Sequence, residues 1–276
     1  MKCGGFHAML KPNQILHYLA LKYEGDWDKI SQAVRGKEIP DDDTYKKLVS
    51  TCHSKFVTLV DPEYPSALRQ SFKPPIVLFY YGDLSLLGNG SKCVSYVGSR
   101  NSSTYGDEMA KTICSGLSKY GYRIVSGLAR GIDVAALSAA LDSKGGAIAV
   151  LGNGIDFCYP SENTPVYERI KKEGLVVSEY PGMTKPTVET FPLRNRIVAG
   201  LSKATVVGEA ARRSGTLITV NYAMSSNKDV GCVPYRATDQ SACNTLIKEG
   251  AFVIESPEDV LLMIGDVRGE REPSKT

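Results

Sequence analysis

Histidine is the scarcest chemistry-bearing residue in this chain. Only three occur among 276 residues, His7, His17 and His53. Everything after residue 53 therefore lacks the side chain that most often serves as general base near neutral pH. Cysteine is present without order: the seven, Cys3, Cys52, Cys93, Cys114, Cys158, Cys232 and Cys243, are odd in number and contain no Cys-x-x-Cys pair. That pattern supports neither a disulfide framework nor a zinc site, and most are expected to be small core residues in a reducing compartment. No apolar run approaches the roughly 20 residues of a membrane helix, and Met1-Lys2-Cys3-Gly4-Gly5 leads into no signal-peptide core. A cytoplasmic protein with no membrane contact is expected. Excess charge is also missing. Lys and Arg number 33 against 30 Asp and Glu, a net +3, so affinity for a polyanion would have to come from a local cluster of cations.

What is present is ordinary globular composition, 42% hydrophobic and 23% charged, on a chain long enough for one large domain and a small one. Residues 1–55 read as a small helical domain. Pro12 opens an amphipathic segment to Tyr23, Asp26 caps a second through Val34, and Asp42-Asp43-Thr44 caps a third through Cys52. Packing or contact is the better reading for this module, because no catalytic spacing occurs in it.

Residues 56–265 change texture. Asp61-Pro62-Glu63-Tyr64-Pro65 is a turn, Ala67-Leu68 can start a short helix, and an apolar run from Ile76 to Tyr81 ends at Gly82. Strand candidates then follow at Cys93–Val97, Arg123–Ser126, Ala147–Leu151, Leu175–Ser178, Thr205–Val207, Val230–Val233 and Phe252–Ile254. Helix-like segments separate them: Gly106–Lys119, Ile132–Ser143, Pro165–Glu173, Thr216–Ser225 and Ala242–Glu249. Buried apolar strands alternating with amphipathic helices predict an α/β fold, an extended Rossmann-like doubly wound and mainly parallel sheet covered on both faces. Residues 266–276 are polar and aperiodic and read as a flexible tail.

Ligands of such sheets bind beyond the carboxyl ends of the strands. There the chain carries Gly98-Ser99-Arg100, Gly127-Leu128-Ala129-Arg130-Gly131, Gly152-Asn153-Gly154 and Glu209-Ala210-Ala211-Arg212-Arg213-Ser214-Gly215-Thr216. Glycine admits close approach of an anion to backbone N–H groups, Ser and Thr add donors, and arginine offers a bidentate fork. Arg100, following Gly-Ser at a strand end, is expected to point into the cleft. Arg212 and Arg213 suit surface ion pairs as well as phosphate. Asp133 and Asp156 read as charges near helix starts.

The most informative stretch is Phe191-Pro192-Leu193-Arg194-Asn195-Arg196. Pro192 fits the first turn of a helix, which would set Arg194 and Arg196 near its positive end, where phosphates bind well. Core burial is the ordinary fate of a phenylalanine, but Pro192 and the flanking arginines favour a partly exposed Phe191 ring. A ring for base stacking beside cations for phosphate points to single-stranded nucleic acid. Lys185 is the nearest preceding cation. Gly152-x-Gly154 lacks a third glycine at dinucleotide spacing. Glu209 with Ser214-Gly215-Thr216 is the one catalytic candidate, and it has no partner base. No cofactor or metal is expected, and a non-enzyme is favoured.

These residues also carry a resemblance. Tyr64-Pro65, Pro75-Ile76-Val77-Leu78, Val97-Gly98-Ser99-Arg100, Ser126 through Asp133, Tyr159-Pro160, Ser178-Glu179, Phe191 through Ser202 and Ser214 through Thr219 occur in that order. The set resembles the bacterial DNA-processing protein A family (DprA, also called Smf) from roughly Phe56 to Ile264. The resemblance implies a Rossmann-like body, usually a homodimer, that binds single-stranded DNA. It further implies that the protein loads RecA recombinase onto incoming DNA, displacing single-strand binding protein, during natural transformation. Its DNA pocket maps onto Gly98, Ser99, Arg100, Phe191, Arg194, Asn195 and Arg196. Arg130, Lys185, Arg212, Ser214, Gly215 and Thr216 complete the candidate set. Short members carry a sterile-alpha-motif-like helical domain at the front, which suits the residues before Ser54, and no winged-helix module is expected after Asp266.

The departures are Leu137 where a histidine is common, Val188-Glu189 where a basic residue often precedes the phenylalanine, and Tyr235 where glycine usually follows Val233-Pro234. The competing reading is a Rossmann-like phosphoribohydrolase, but that group's Pro-Gly-Gly-x-Gly-Thr-x-x-Glu signature is missing.

Overall fold

The computed structural model describes residues 10–88, 92–143 and 145–266. The expected tail beyond residue 266, Cys3, His7 and the Met1–Gly5 segment lie outside the described residues.

Three helices open the described chain: α1 (Pro12–Lys22), α2 (Trp27–Arg35) and α3 (Asp42–Val49). Their ends follow from local chemistry. Pro12 occupies the first position of α1, and the Asp26 carboxylate takes the Lys29 N–H at the start of α2. For α3 the cap is Asp41, accepting from the Thr44 N–H, so the helix sits one residue earlier than expected and ends at Val49 rather than Cys52.

The body alternates strands and helices: β1 (Lys55–Thr58), α4 (Ser66–Arg69), β2 (Val77–Gly82), β3 (Cys93–Gly98), α5 (Thr104–Lys119) and β4 (Arg123–Ser126). Then come α6 (Ile132–Asp142), β5 (Ala147–Leu151), α7 (Thr164–Glu173), β6 (Leu175–Ser178) and α8 (Thr190–Leu201). The chain continues with β7 (Thr205–Glu209), α9 (Thr216–Ser225), β8 (Val230–Cys232), α10 (Ala242–Lys248), β9 (Phe252–Val253) and α11 (Pro257–Met263). The strands form one sheet in the order β1-β2-β6-β5-β4-β3-β7-β8-β9. From β6 to β9 all neighbours run parallel, whereas β2 is antiparallel to both β1 and β6.

Strand period two sorts the core onto the two faces of this sheet. Val94, Tyr96, Ile124, Ala149 and Val176 belong to one apolar cluster, with Ile113 of α5, Ala136 of α6 and Ile170 of α7. Their neighbours Val97, Val125, Ile148, Val150 and Val177 belong to the other, with Ile197 of α8, Val220 of α9 and Cys243 of α10. Leu19 of α1, Ile30 of α2 and Tyr45 of α3 share the first cluster with Phe79 of β2, so the opening helices pack on the sheet.

The strand order decides where a ligand can enter. From β3 the chain steps through β4, β5 and β6 in one direction; after α8 it restarts at β7, beside β3, and proceeds to β9 in the other. The β3 and β7 crossovers therefore leave in opposite directions, and a crevice opens beyond their carboxyl ends. Gly98 faces Glu209 there across an irregularity in the β3–β7 ladder.

Candidate nucleic-acid interface

The loop after β3 is held rigidly against β7. The Ser99 N–H donates to the Glu209 carbonyl (2.8 Å), the Ile132 N–H to the Ser99 carbonyl (3.1 Å), and the Ser99 hydroxyl to the Asn101 carbonyl (2.9 Å). Arg100 extends from this loop into solvent, its guanidinium 5.8 Å from the centroid of the Phe191 ring. Tyr159 also lies against Phe191, with ring centroids 5.6 Å apart and the rings tilted 33°. A cation over a half-buried ring, with a second ring beside it, forms a platform for a flat base next to a phosphate.

Phe191 is the second residue of α8, so Pro192 falls in the first turn as expected. The expectation for the two arginines is corrected. Arg194 and Arg196 are the fifth and seventh residues of α8, beyond the turn whose N–H groups are free. At about 100° per residue, Asn195 and Arg194 stay near the face of Phe191 while Arg196 turns roughly 140° away. Arg196 accordingly lies on the opposite flank, 2% exposed, with Nη2 2.7 and 2.9 Å from the Glu179 carboxylate oxygens. Its Nε donates to the Lys73 carbonyl at 3.0 Å and its Nη1 to the Leu193 carbonyl at 3.1 Å. It is a buried structural ion pair, not a phosphate ligand. Burial pushes the Glu179 carboxyl up, and the guanidinium opposes that shift.

Arg194 reaches the groove but is committed inward. It is 5% exposed and donates to the carbonyls of Gly127 (2.6 Å) and Val150, which lie at the carboxyl ends of β4 and β5. Burial lowers its pKa to about 10, with the Asp133 carboxylate pulling the other way. A Cβ at Gly127 would stand 2.4 Å from the Arg194 Nη2, so this residue must be glycine for the guanidinium to lie there. Asp133 is 6% exposed and takes the Gly127 N–H at 3.1 Å, and burial raises its pKa. Its charge favours the protonated guanidinium of Arg194. Asp156 is not at a helix start; it receives the Tyr81 hydroxyl at 2.6 Å.

Gly98, Ser99, Arg100, Phe191, Arg194, Asn195, Ser214, Gly215 and Thr216 line one open groove of about 390 Å³. The amino end of the ten-residue helix α9 supplies its far wall. There the Thr216 N–H donates to the Ser214 hydroxyl at 3.1 Å, and the helix dipole favours an anion. Arg213, rather than its neighbour Arg212, lines the groove. Among the described residues neither Arg100, Arg212 nor Arg213 makes an ion pair, so the surface-pairing alternative for the last two is not realised. Arg130 borders a smaller adjoining hollow with Tyr159 and Pro160 and is tied to Glu162 at 2.7 Å. With both side chains exposed, that pair is worth at most about 1 kcal/mol and yields readily.

Lys185 stands apart. It borders a different hollow, against Leu21 of α1 and Leu48 of α3, because the chain turns at Pro181-Gly182 toward the opening helices. Glu209 is likewise turned away from Ser214-Gly215-Thr216. Its Oε2 takes the Ser103 N–H (2.9 Å), the Ser103 hydroxyl (2.8 Å) and the Tyr235 hydroxyl (3.2 Å), which fixes the start of α5. The groove lining holds no histidine and one carboxylate, the buried Asp133. The candidate set leaves out Asn101, Tyr159 and Arg213, although Arg213 is weighed with Arg212 for phosphate. Each adjoins a named motif, which was the available signal.

No helix among the described residues is long and apolar enough to cross a membrane. The family described as DNA recombination-mediator protein A matches residues 55–265. Protein Smf of Synechocystis is 43% identical over 217 residues, covering 77% of this chain and 54% of that protein. DNA processing protein DprA of Streptococcus pneumoniae is 42% identical over 206 residues, covering 74% of this chain and 72% of that protein. The crystal structure of DprA from S. pneumoniae superposes with a TM-score of 0.74 at 34% identity, covering 90% and 92% of the two chains. DNA processing protein A of Helicobacter pylori, whose structure concerns its binding of single-stranded DNA, superposes at 0.70 and 29% identity, covering 79% and 99%. With a family match across the whole nine-stranded body and a groove built from the ordered motifs, this chain belongs to the DNA recombination-mediator protein A family, the DprA/Smf proteins.

Proposed function

We propose that the β3–β7 groove holds single-stranded DNA without breaking bonds in it, and that the protein acts by presenting the held strand for recombination. The observation that carries this reading is the Arg100 guanidinium over the Phe191 ring, in a groove whose second wall is the amino end of α9. Phosphates meet Arg100 and Arg213 and the positive end of α9, with Asn195 and Arg130 alongside. A base stacks on Phe191 between Arg100 and Tyr159. The likeness to the single-stranded-DNA-binding protein of H. pylori supports the same ligand class. Hydrolysis is disfavoured by the lining itself, in which no side chain is placed as a free general base and Glu209 is occupied in holding α5.

Within that reading the protein works as a homodimer in the cytoplasm, protects incoming strands, and loads RecA recombinase on them against competing single-strand binding protein during natural transformation. It needs no cofactor.

Fluorescence anisotropy with labelled oligothymidylate tests the groove. Affinity should fall steeply with added salt, since counterion release drives phosphate binding. Arg100→Glu should weaken binding at least tenfold and flatten the log K against log salt slope by about one unit. Lys22→Glu, on α1, should change little. Equal losses in the two variants, or no binding at low salt, would overturn the proposal. RecA filament nucleation on strands coated with single-strand binding protein tests the loading step, and release of base from nucleoside monophosphates would favour the hydrolase instead.

A further inference from the structure

Beside the strand groove lies a larger hollow, about 1030 Å³, which the groove's chemistry does not use. The two share Ser99, Asn101 and Ala211 as a common border, so a chain leaving one passes directly into the other. The hollow is walled by Tyr105 in the first turn of α5 and by Tyr235 after β8. Their rings meet edge to face at 5.2 Å and 90°. A perpendicular pair leaves ring faces free for a further flat partner. Tyr235 is anchored by its hydroxyl to the Gly208 carbonyl (2.8 Å) and to Glu209, while Tyr105 is 42% exposed and donates to the Pro234 carbonyl at 3.2 Å. Both rings are thus held in place before any ligand arrives.

The polar lining differs in sign from that of the groove. Here the wall carries Glu209 and Asp239, with Arg236. All three donors to Glu209 go to Oε2, and Oε1 has no partner among the described residues. A carboxylate edge beside two tyrosines repels phosphate, yet it accepts hydrogen bonds from the exocyclic amine of a base. Resting on the strand-binding reading of the groove, we propose that this hollow is a second base subsite, in which an unpaired base of the same strand stacks on the exposed Tyr105 ring, beside Tyr235, and presents an amino edge to Glu209. Groove and hollow then divide the work. The first takes phosphates and one base; the second takes a neighbouring base and adds a preference for cytosine, whose N4 donates, over thymine, which turns carbonyl oxygens to the carboxylate.

A length series of oligodeoxycytidylate and oligothymidylate tests this on the wild-type chain, Tyr105→Ala, Tyr105→Phe and Arg100→Glu. Wild-type affinity should rise in a second step once the strand is long enough to reach the hollow, and the step should be larger for oligodeoxycytidylate. Tyr105→Ala should match wild type on the shortest strands and bind long ones about tenfold more weakly, the loss of one stacked base. Tyr105→Phe, which keeps the ring, should retain the step. Tyr105 is exposed, and an unchanged circular dichroism melt will show that the variant folds. If Tyr105→Ala binds long strands like wild type while Arg100→Glu does not bind, the subsite is refuted and the groove stands. If Arg100→Glu binds normally, the groove itself is refuted. If free deoxycytidine monophosphate binds in a Tyr105-dependent way and the length step is absent, the hollow takes free nucleotides and the inference fails.

Discussion

Arg196→Met separates a structural arginine from a DNA-binding one. Its guanidinium is buried to 2% exposure, pairs with both Glu179 oxygens and satisfies the carbonyls of Lys73 and Leu193. Methionine retains most of the aliphatic volume but leaves Glu179, itself 3% exposed, as an unpaired buried carboxylate. Breaking a buried pair from one side costs about 3–5 kcal/mol, against a total stability on the order of 5–15 kcal/mol. At roughly 2–4 °C per kcal/mol, the melting temperature should fall by on the order of 10 °C. Replacing both charges removes the stranded group, so Glu179→Gln with Arg196→Met should recover part of the loss, with a coupling of about 2 kcal/mol. Urea unfolding followed by circular dichroism measures all four corners of the cycle. Oligothymidylate binding, measured well below the unfolding midpoint, should stay within about threefold of wild type. The reasoning is refuted if Arg196→Met leaves the urea midpoint unchanged while reducing DNA binding as far as Arg100→Glu does.

Two further outcomes follow from other parts of the molecule. His17 is buried against Phe56, its ring centroid 3.7 Å away; neither ring nitrogen has a hydrogen-bond partner among the described residues, and burial lowers its pKa to about 4. Because the folded value lies below the unfolded one, the unfolded chain binds the extra proton. His17's contribution to stability is therefore complete above about pH 6.5, falls by up to about 3 kcal/mol as pH drops toward 4, and changes no further below it. His17→Phe should lose less stability than wild type between pH 7 and pH 5 in urea titrations, and parallel curves would contradict the assignment. Beneath the stacking platform, a Cβ at Gly152 would stand 2.7 Å from the Phe191 ring. Gly152→Ala should thus shift the ring and weaken oligothymidylate binding several-fold, less than Phe191→Ala. An affinity equal to wild type would show that the ring position is immaterial.

Much of the body could be read from local pattern. Runs such as Ala147–Leu151 and Leu175–Ser178 are strands with the expected bounds, and α9 spans the expected Thr216–Ser225. Each is a short apolar run or an amphipathic segment closed by its own turn chemistry. β1 (Lys55–Thr58) went unread because an edge strand of four residues, half exposed, has too little alternation to stand out. The antiparallel placement of β2 was equally hidden, since an apolar run has the same appearance whichever way its neighbours point. At the site, Arg100 and Phe191 could be named because Arg100 follows Gly98-Ser99 at a strand end and Phe191 precedes Pro192, each of which commits the chain locally. Arg196 could not be judged without the start of α8. Begin that helix at Thr190, and its rotation carries Arg196 to Glu179 while Asn195 stays with Phe191.

The amino-acid order by itself determined the succession of strands and helices, the lack of a histidine base in the body, and the glycine, serine and arginine content of the strand-end loops, for these depend on neighbours along the chain. Only the tertiary structure decided which loops meet. Pairing β3 with β7 places the Gly98–Arg100 loop, α8 and the amino end of α9 around one groove and turns Glu209 toward Ser103, while the turn at Pro181-Gly182 carries Lys185 to the opening helices. Strand pairing is a contact between distant segments, set by how the whole sheet buries its two apolar faces, and no short window of sequence contains it.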